Sequence, residues 1–355
     1  MAFFEHFIKQ LLDDGHTVDI ATNDSVRKAP ECYKKLGCRI FSLLCSRSPL
    51  DIGNIHTIEQ IRRLVKQEQY DIVHCHTPIA AACARIACKD LRKKLGVKVF
   101  YTAHGFHFYK GAPLQNWLLY YPVEKLCAYF TDKLITINQE DYNLAKRKLH
   151  AKQVHYVPGV GVDLSKFENI HVDRDAKRRE IGVPEGAFLL LSVGELNKNK
   201  NHQIIIRALA KLNRPDVHYA IAGRGDKYDA LVQLAAELGV SRQVHLLGYR
   251  TDIAELNCAA DVFCFPSYRE GLSVSMIEAM AGGLPVVCSR IRGNTDLVNE
   301  QGGVLFDPHD EEECTEALKK ILCCDRNLMK AWNRYNAARY SSENIAVTMK
   351  SIYES

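Results

Sequence analysis

From Phe188 onward, short runs of apolar residues alternate with stretches in which apolar residues recur every three or four positions. That alternation predicts buried parallel strands joined by amphipathic helices, an α/β fold. The strands expected in this half are Phe188–Val193, His218–Ala222, Val244–Leu247, Asp261–Pro266, Pro285–Cys288 and Gly303–Phe306. Between them one helix leads to Leu212, a second starts near Ser273 and stops at Gly282-Gly283, and others cover Glu311–Leu322 and Leu328–Ala338. The first half repeats the alternation less sharply. Its helices are read at Phe3–Asp13, Ile55–Glu68 and Ala80–Leu95, its strands at His16–Ala21, Cys38–Leu43, Tyr70–His74, Lys98–Thr102, Lys133–Ile137 and Gln153–Pro158. Trp117–Phe130 is apolar and aromatic, with Pro122 expected to break or turn it. Residues 164–184, charged and carrying Pro184, read as a connection, and Ser342–Tyr353 as a last amphipathic helix. With no internal repeat, this predicts two parallel sheets flanked by helices through right-handed crossovers, and a site in the cleft between two domains.

Composition narrows the class. The 355 residues are 47% hydrophobic and 25% charged, an ordinary globular balance with enough chain for two cores. No apolar run approaches the ~18 residues of a membrane span. Glu5, Asp13 and Asp14 stand where a secretory leader would be basic, so a cytoplasmic protein is expected. The 13 cysteines are odd in number and form no CxxC pair, which favours reduced thiols over disulfides. Residues 1–165 hold 23 basic and 16 acidic side chains, net +7, while 166–355 hold 24 and 26, net −2. The basic half suggests an anionic partner, either a phospholipid surface or a phosphorylated acceptor, against the alternative of a solvated basic face.

Chemistry concentrates in DVFCFPSYREGLSVSMIEAMAGGLPVVCS, residues 261–289. Apolar positions Val274, Ile277, Met280 and Ala281 predict one buried helix face, and Glu278 falls on that side, where an unpaired carboxylate would cost several kcal/mol. Either a protein group or a ligand hydroxyl pair must meet it. Glu270 lies eight residues earlier in the loop, and the helix start directs the N–H groups of Gly271, Leu272 and Ser273 outward. An anion site flanked by two acids matches a diphosphate with a sugar on each side.

This E-x7-E stretch, with its Pro-Ser and Gly-Gly-Leu-Pro-Val-Val flanks, resembles the donor-site signature of the retaining glycosyltransferases of family 4, which have the GT-B fold of two Rossmann-like domains. The resemblance covers almost the whole chain and implies an acceptor-side domain at 1–165, a nucleotide-sugar domain at 166–341, and a helix at 342–355 crossing back to the first. It implies transfer from a UDP-sugar, or less often a GDP-sugar, to a saccharide or lipid-diphosphate-linked acceptor in polysaccharide synthesis. Capsule and exopolysaccharide enzymes working at the inner membrane face are the nearest analogues in kind. No cofactor, metal or nucleic acid is expected. On the matching positions, Glu270 would hold sugar hydroxyls, Glu278 the ribose, and Lys200 the diphosphate, with Gly194 opening the Lys200 loop. Arg250 stands where the family cups the base, and the IRGNTD loop, 291–296, faces the diphosphate in relatives. Glu195 occupies the place of a usual arginine, a departure that Lys198 or Arg224 would have to offset. Gly223 opens GRGD after a strand, but Tyr228 replaces the third glycine of a dinucleotide fingerprint, so a nicotinamide site is not expected.

In the first half, His104 at a strand's C-terminal tip matches the family's reaction-centre histidine and is expected to be catalytic. His107 is not assigned a role. In His74-Cys75-His76 only the two histidines share a face, which favours a crevice-facing His76 over a metal cluster. The family pattern places a strand and glycine loop ahead of the first helix. Both are missing here, which suggests a misassigned start codon or a shortened chain. A sugar-nucleotide epimerase of the same architecture and a non-catalytic homologue are the alternative readings.

Overall fold

The computed structural model describes residues 4–24, 28–46, 48–49, 51–167 and 170–355. They form two compact units, Met1–Gly161 with Ser342–Ser355, and Val162–Ser341. The first unit carries 24 basic and 17 acidic residues, net +7.

Its strands are β1 (Asp19–Thr22), β2 (Arg39–Ser42), β3 (Ile72–Cys75), β4 (Lys98–Ala103), β5 (Lys133–Thr136) and β6 (Gln153–Tyr156). β1 pairs only with β2, and β3-β4-β5-β6 form a separate parallel sheet. The first helix runs Glu5–Asp13, and Phe3, expected in it, lies outside the described residues. The C-terminal helix Ser342–Glu354 packs into this unit, burying Ile345, Met349 and Ile352 against Ile135 and Val157. Buried Lys133 fastens it by donating to the Ile352 carbonyl and, at 2.8 Å, to Ser355 Oγ.

Two expectations fail here for local reasons. Helix Leu114–Ala128 continues through Pro122. That proline is exposed, so water can reach the Leu118 carbonyl it leaves without a helical donor. The helix expected over Ala80–Leu95 divides into Pro78–Cys88 and Leu91–Lys94. Between them Asp90 is held bidentately by Arg62 from the neighbouring helix, at 2.5 Å to each oxygen.

The second unit contains β7 (Phe188–Val193), β8 (Val217–Ala222), β9 (Val244–Gly248), β10 (Val262–Phe265), β11 (Val286–Ser289) and β12 (Gly303–Phe306) in the order β12-β11-β10-β7-β8-β9, all parallel. Both faces of this sheet are covered, which is why its strands read as unbroken apolar runs. Arg174–Glu180, within the stretch read as a connection, is a helix of this unit. Its Arg178 meets Asp261 at 2.7 Å. Chain order reverses between β7 and β10. In an open parallel sheet that reversal leaves a crevice beyond the strands' C-terminal ends, the place where such folds bind ligands.

Candidate active site

Two loops leave the sheet at this reversal. After β7 the chain runs Gly194-Glu195-Leu196-Asn197 into a short 3-10 turn, Lys198–Lys200. Asn197 caps that turn by accepting from the Lys200 N–H at 3.0 Å. After β10 the chain passes Ser267 and Tyr268 to Glu270. Lys200 Nζ meets Glu270 Oε1 at 2.8 Å and lies 4.6 Å from the centre of the Phe265 ring. The loops are also tied through Asn199, which accepts from the Tyr268 N–H at 2.8 Å and donates to the Arg269 carbonyl at 2.9 Å. Two residues 70 apart in sequence are thus brought together.

The glycines nearby admit close approach. A Cβ on Gly223 would stand 1.8 Å from the Gly194 carbonyl oxygen, and one on Gly194 would sit 3.3 Å from Lys200 Cε. Gly223, expected in a phosphate or base pocket, is therefore fixed by chain packing. The IRGNTD loop presses on the Glu270 loop in the same way. A Cβ on Gly293 would meet the Gly271 carbonyl oxygen at 2.3 Å, and buried Arg292 donates to the Glu270 carbonyl at 3.2 Å.

Helix Val274–Ala281 starts at Ser273, whose Oγ accepts from the Met276 N–H at 3.3 Å. The first intrahelical donor is Ile277. Among the described residues, the amides of Gly271, Leu272, Ser273, Val274 and Ser275 donate to no protein acceptor, so the segment after Glu270 and the start of the helix offer five N–H groups to a ligand. The helix buries Met276, Ile277, Ala279 and Met280, while Val274 and Ala281 are half-buried, so it is packed on more than the single face expected. Glu278 is half-buried at its margin. Its carboxylate has no hydrogen-bond or ion-pair partner among the described residues, and burial pushes it up to about 7 from its ordinary 4.5, opposed by nearby Lys166.

Other expected residues have different occupations. Arg250 does not hold its guanidinium out for a base. It binds Asp252 at 2.8 Å and Glu180 at 2.5 Å, and these two carboxylates raise its already high pKa. Tyr249, its neighbour, is 67% exposed with the Arg224 guanidinium 5.6 Å from its ring. Gly248-Tyr249-Arg250 reads as the stretch that cups the base, and of the two side chains it is Tyr249 that stands exposed. Glu195 accepts from Asn197 Nδ2 at 2.9 Å, and Lys198 is exposed.

In the first unit the C-terminal ends of β3 and β4 carry a histidine cluster. His76 Nδ1 lies 3.1 Å from His104 Nε2, and the His74 and His76 rings are 4.3 Å apart. His74 is bonded at both nitrogens, to Tyr353 Oη at 2.6 Å and Thr102 Oγ1 at 2.8 Å. Burial depresses all three, His74 to about 3 and His104 to about 4, with His76 lowered further by its neighbours, so they are neutral at physiological pH. The backbone is unusual at both ends. Thr77 has φ 53°, a conformation costing ~1–3 kcal/mol for a β-branched residue before proline, and Gly105 has φ 137°.

The family model for glycosyl transferases group 1 matches residues 173–339, and that for Glycosyltransferase Family 4 matches 2–166. A relative from Bacillus subtilis, the putative glycosyltransferase EpsD, is 36% identical over 99% of this chain and 92% of its own length. The chain belongs to glycosyltransferase family 4. An Escherichia coli enzyme named UDP-Gal:alpha-D-GlcNAc-diphosphoundecaprenol alpha-1,3-galactosyltransferase is 31% identical over 78% of this chain and 73% of its length. Among solved structures, Anabaena HepE in complex with UDP superposes with TM-score 0.80 at 19% identity, over 99% of this chain and 95% of that one. Sucrose-phosphate synthase from Thermosynechococcus elongatus gives 0.79 at 22% identity, over 98% and 91%. These likenesses establish the GT-B fold, and the family relation makes the protein a glycosyltransferase.

Proposed function

We propose that this family 4 glycosyltransferase takes its sugar from a UDP-sugar and passes it, with retention, to a saccharide or lipid-diphosphate-linked saccharide in the building of capsule or exopolysaccharide. One observation carries the donor reading: five amides without a protein acceptor follow the Lys200–Glu270 pair in the chain and lead into the helix that bears the unpartnered Glu278 carboxylate. Each part suits one part of a nucleotide sugar. Lys200 and the amides would take up charge on the departing diphosphate, which is where stabilisation lowers the barrier. Glu270 would hold sugar hydroxyls, and Glu278 the ribose hydroxyl pair. His104 would act as the substrate-facing group of the first unit. Neutralisation by Lys200 and amides leaves no step that calls for a metal. UDP is favoured over GDP because the E. coli relative is named for a UDP-galactose donor and HepE was crystallised with UDP.

The lipid-linked acceptor is supported by the relative's diphosphoundecaprenol substrate and by one surface of the first unit. No helix among the described residues is long and apolar enough to cross a membrane. Helix Leu114–Ala128, however, carries apolar side chains on its outer as well as its inner side: Trp117 and Tyr121 pack inward, while Leu114 and Leu118 are 72% and 70% exposed, with Leu119, Val123 and Leu126 exposed too. Lys125 is exposed on the same helix. We therefore assign peripheral contact with the inner membrane face to this helix. Of the basic cluster Arg92-Lys93-Lys94, which offers the same surface an electrostatic contact, Arg92 is held by Asp132 at 2.5 Å and by the Tyr129 carbonyl.

A donor panel read by nucleotide release, with and without a lipid-diphosphate sugar acceptor, tests the whole reading. Acceptor-dependent UDP release supports it. Release of free product from donor alone would favour an epimerase-type reaction, and no UDP affinity would remove it.

A further inference from the structure

The geometry points to His76 as a positioning residue that fixes the ring orientation and shared proton of His104, with Tyr353 of the C-terminal helix holding the arrangement through His74. The inference rests on His104 being the substrate-facing group of the first unit.

His74 is held at both ring nitrogens. Burial keeps the Tyr353 phenol protonated, and its hydroxyl bonds Nδ1 of His74 at 2.6 Å. Neutral His74 carries one proton, so one nitrogen donates and the other accepts, with Thr102 Oγ1 the partner of Nε2 at 2.8 Å. Both nitrogens satisfied, the His74 ring cannot rotate without losing two bonds. It presents its face to His76 at 4.3 Å, tilted by 38°. Phe4 covers His76 with ring centres also 4.3 Å apart. Held between two rings, His76 has one edge aimed at His104, and the two imidazoles share one hydrogen between Nδ1 and Nε2 at 3.1 Å. One nitrogen of His104 is thereby committed to His76, and the bond ties the tautomer of each ring to that of the other.

The backbone gives independent support. His76 is followed directly by Thr77 in the left-handed region, φ 53°, although a β-branched residue before proline is the least suited to it. Relaxing that residue would re-aim His76 at the end of β3. Strain retained beside a ring that does no packing in the apolar core is accounted for by the bond His76 makes. Tyr353 explains why the chain's last helix ends in this unit. It is 279 residues from His74 in sequence and belongs to the same compact body.

The test uses the full chain labelled with nitrogen-15 at histidine. In the wild type, His104 should show one tautomer. His76→Phe keeps the ring stack but removes the bond, and should turn His104 into an averaging mixture of tautomers. His76→Asn, whose side-chain amide reaches the Nδ1 position, should restore one. Tyr353→Phe should release the His74 tautomer while leaving the fold intact. With the donor giving fastest UDP release, His76→Phe should lower kcat about tenfold or more at unchanged donor KM, the order expected when a reacting group is mis-set, and His76→Asn should recover most of it. A single His104 tautomer in His76→Phe, or equal loss in the Phe and Asn variants, overturns the positioning role. His104→Ala separates the two ideas: full activity there removes the substrate-facing reading of His104 itself.

Discussion

Glu278 carries a charge that the ligand-free protein would be more stable without, and Glu278→Gln tests that directly. Raising a carboxyl from 4.5 to about 7 in the folded state corresponds to about 3 kcal/mol of penalty on the ionised form. The group is only half-buried, and solvent screening reduces the expected effect to ~1–2 kcal/mol. The sign follows from the raised value. Below pH 4.5 the carboxyl is neutral in both states and its full share of stability is present; this share is lost as pH rises through about 7. Glu278→Gln should therefore match the wild type near pH 4.5 and exceed it by ~1–2 kcal/mol at pH 8, seen as a rise of a few degrees in Tm. UDP binding should move the other way. A ribose hydroxyl pair donating to the carboxylate contributes ~1.5–3 kcal/mol, so calorimetry should show UDP affinity falling ~10- to 100-fold in the variant. Wild-type affinity should also strengthen as pH rises through about 7, because the ionised form is the acceptor. A variant less stable at pH 8, or with unchanged UDP affinity, refutes the assignment.

Lys200→Ala should lower kcat by ~100-fold or more, the scale of removing one charge-stabilising donor, and should do so with little change in Tm. Glu195→Arg would supply the cation usual in the family and should lower the donor KM several-fold, measured by steady-state UDP release. Glu124→Ala leaves the Arg85 guanidinium buried and unpaired, so urea unfolding should show a loss of ~3–5 kcal/mol. Leu118→Ser with Leu126→Ser should abolish co-sedimentation with anionic vesicles, while alanines at Arg92, Lys93 and Lys94 should weaken it less; equal effects would return the contact to the basic cluster.

The second unit was legible because its strands are covered on both faces. Phe188–Val193 and Gly303–Phe306 were read to the residue, since an apolar run ending at glycine or a charged loop leaves little choice of boundary. The family pattern named Lys200 and Glu270 for one donor site, but their ion pair, the Asn199 bonds to Tyr268 and Arg269 and the close packing of Gly223 on Gly194 have no periodic signal. They depend on which strand ends become neighbours. The break expected at Pro122 failed for a related reason: a proline inside an apolar stretch signals a break until its side of the helix proves exposed. Tyr353 and His74 were beyond reach, because nothing local in either segment announces a bond between them.

Where local rules are broken, the breaks fall at the strand ends that carry the chemistry. Five amides without protein acceptors follow β10, and a half-buried carboxylate without a partner lies one turn further along the same helix. At the ends of β3 and β4, Thr77 and Gly105 adopt positive φ beside the two bonded histidines. The half-buried carboxylate and the positive φ of Thr77 are each unfavourable for folding alone, and both sit where a mostly apolar scaffold over-determines the backbone. The unsatisfied donors and acceptor would be met together by one diphosphate with hydroxyls on either side, whereas a purely structural origin would require separate accidents in consecutive segments. A ligand that satisfies them should raise the melting temperature of the second unit far more than that of the first. Hydrogen exchange with and without UDP can measure this: slowed exchange confined to residues 271–278 and the Lys200 loop is expected, and uniform or absent protection would break the link between these exceptions and donor binding.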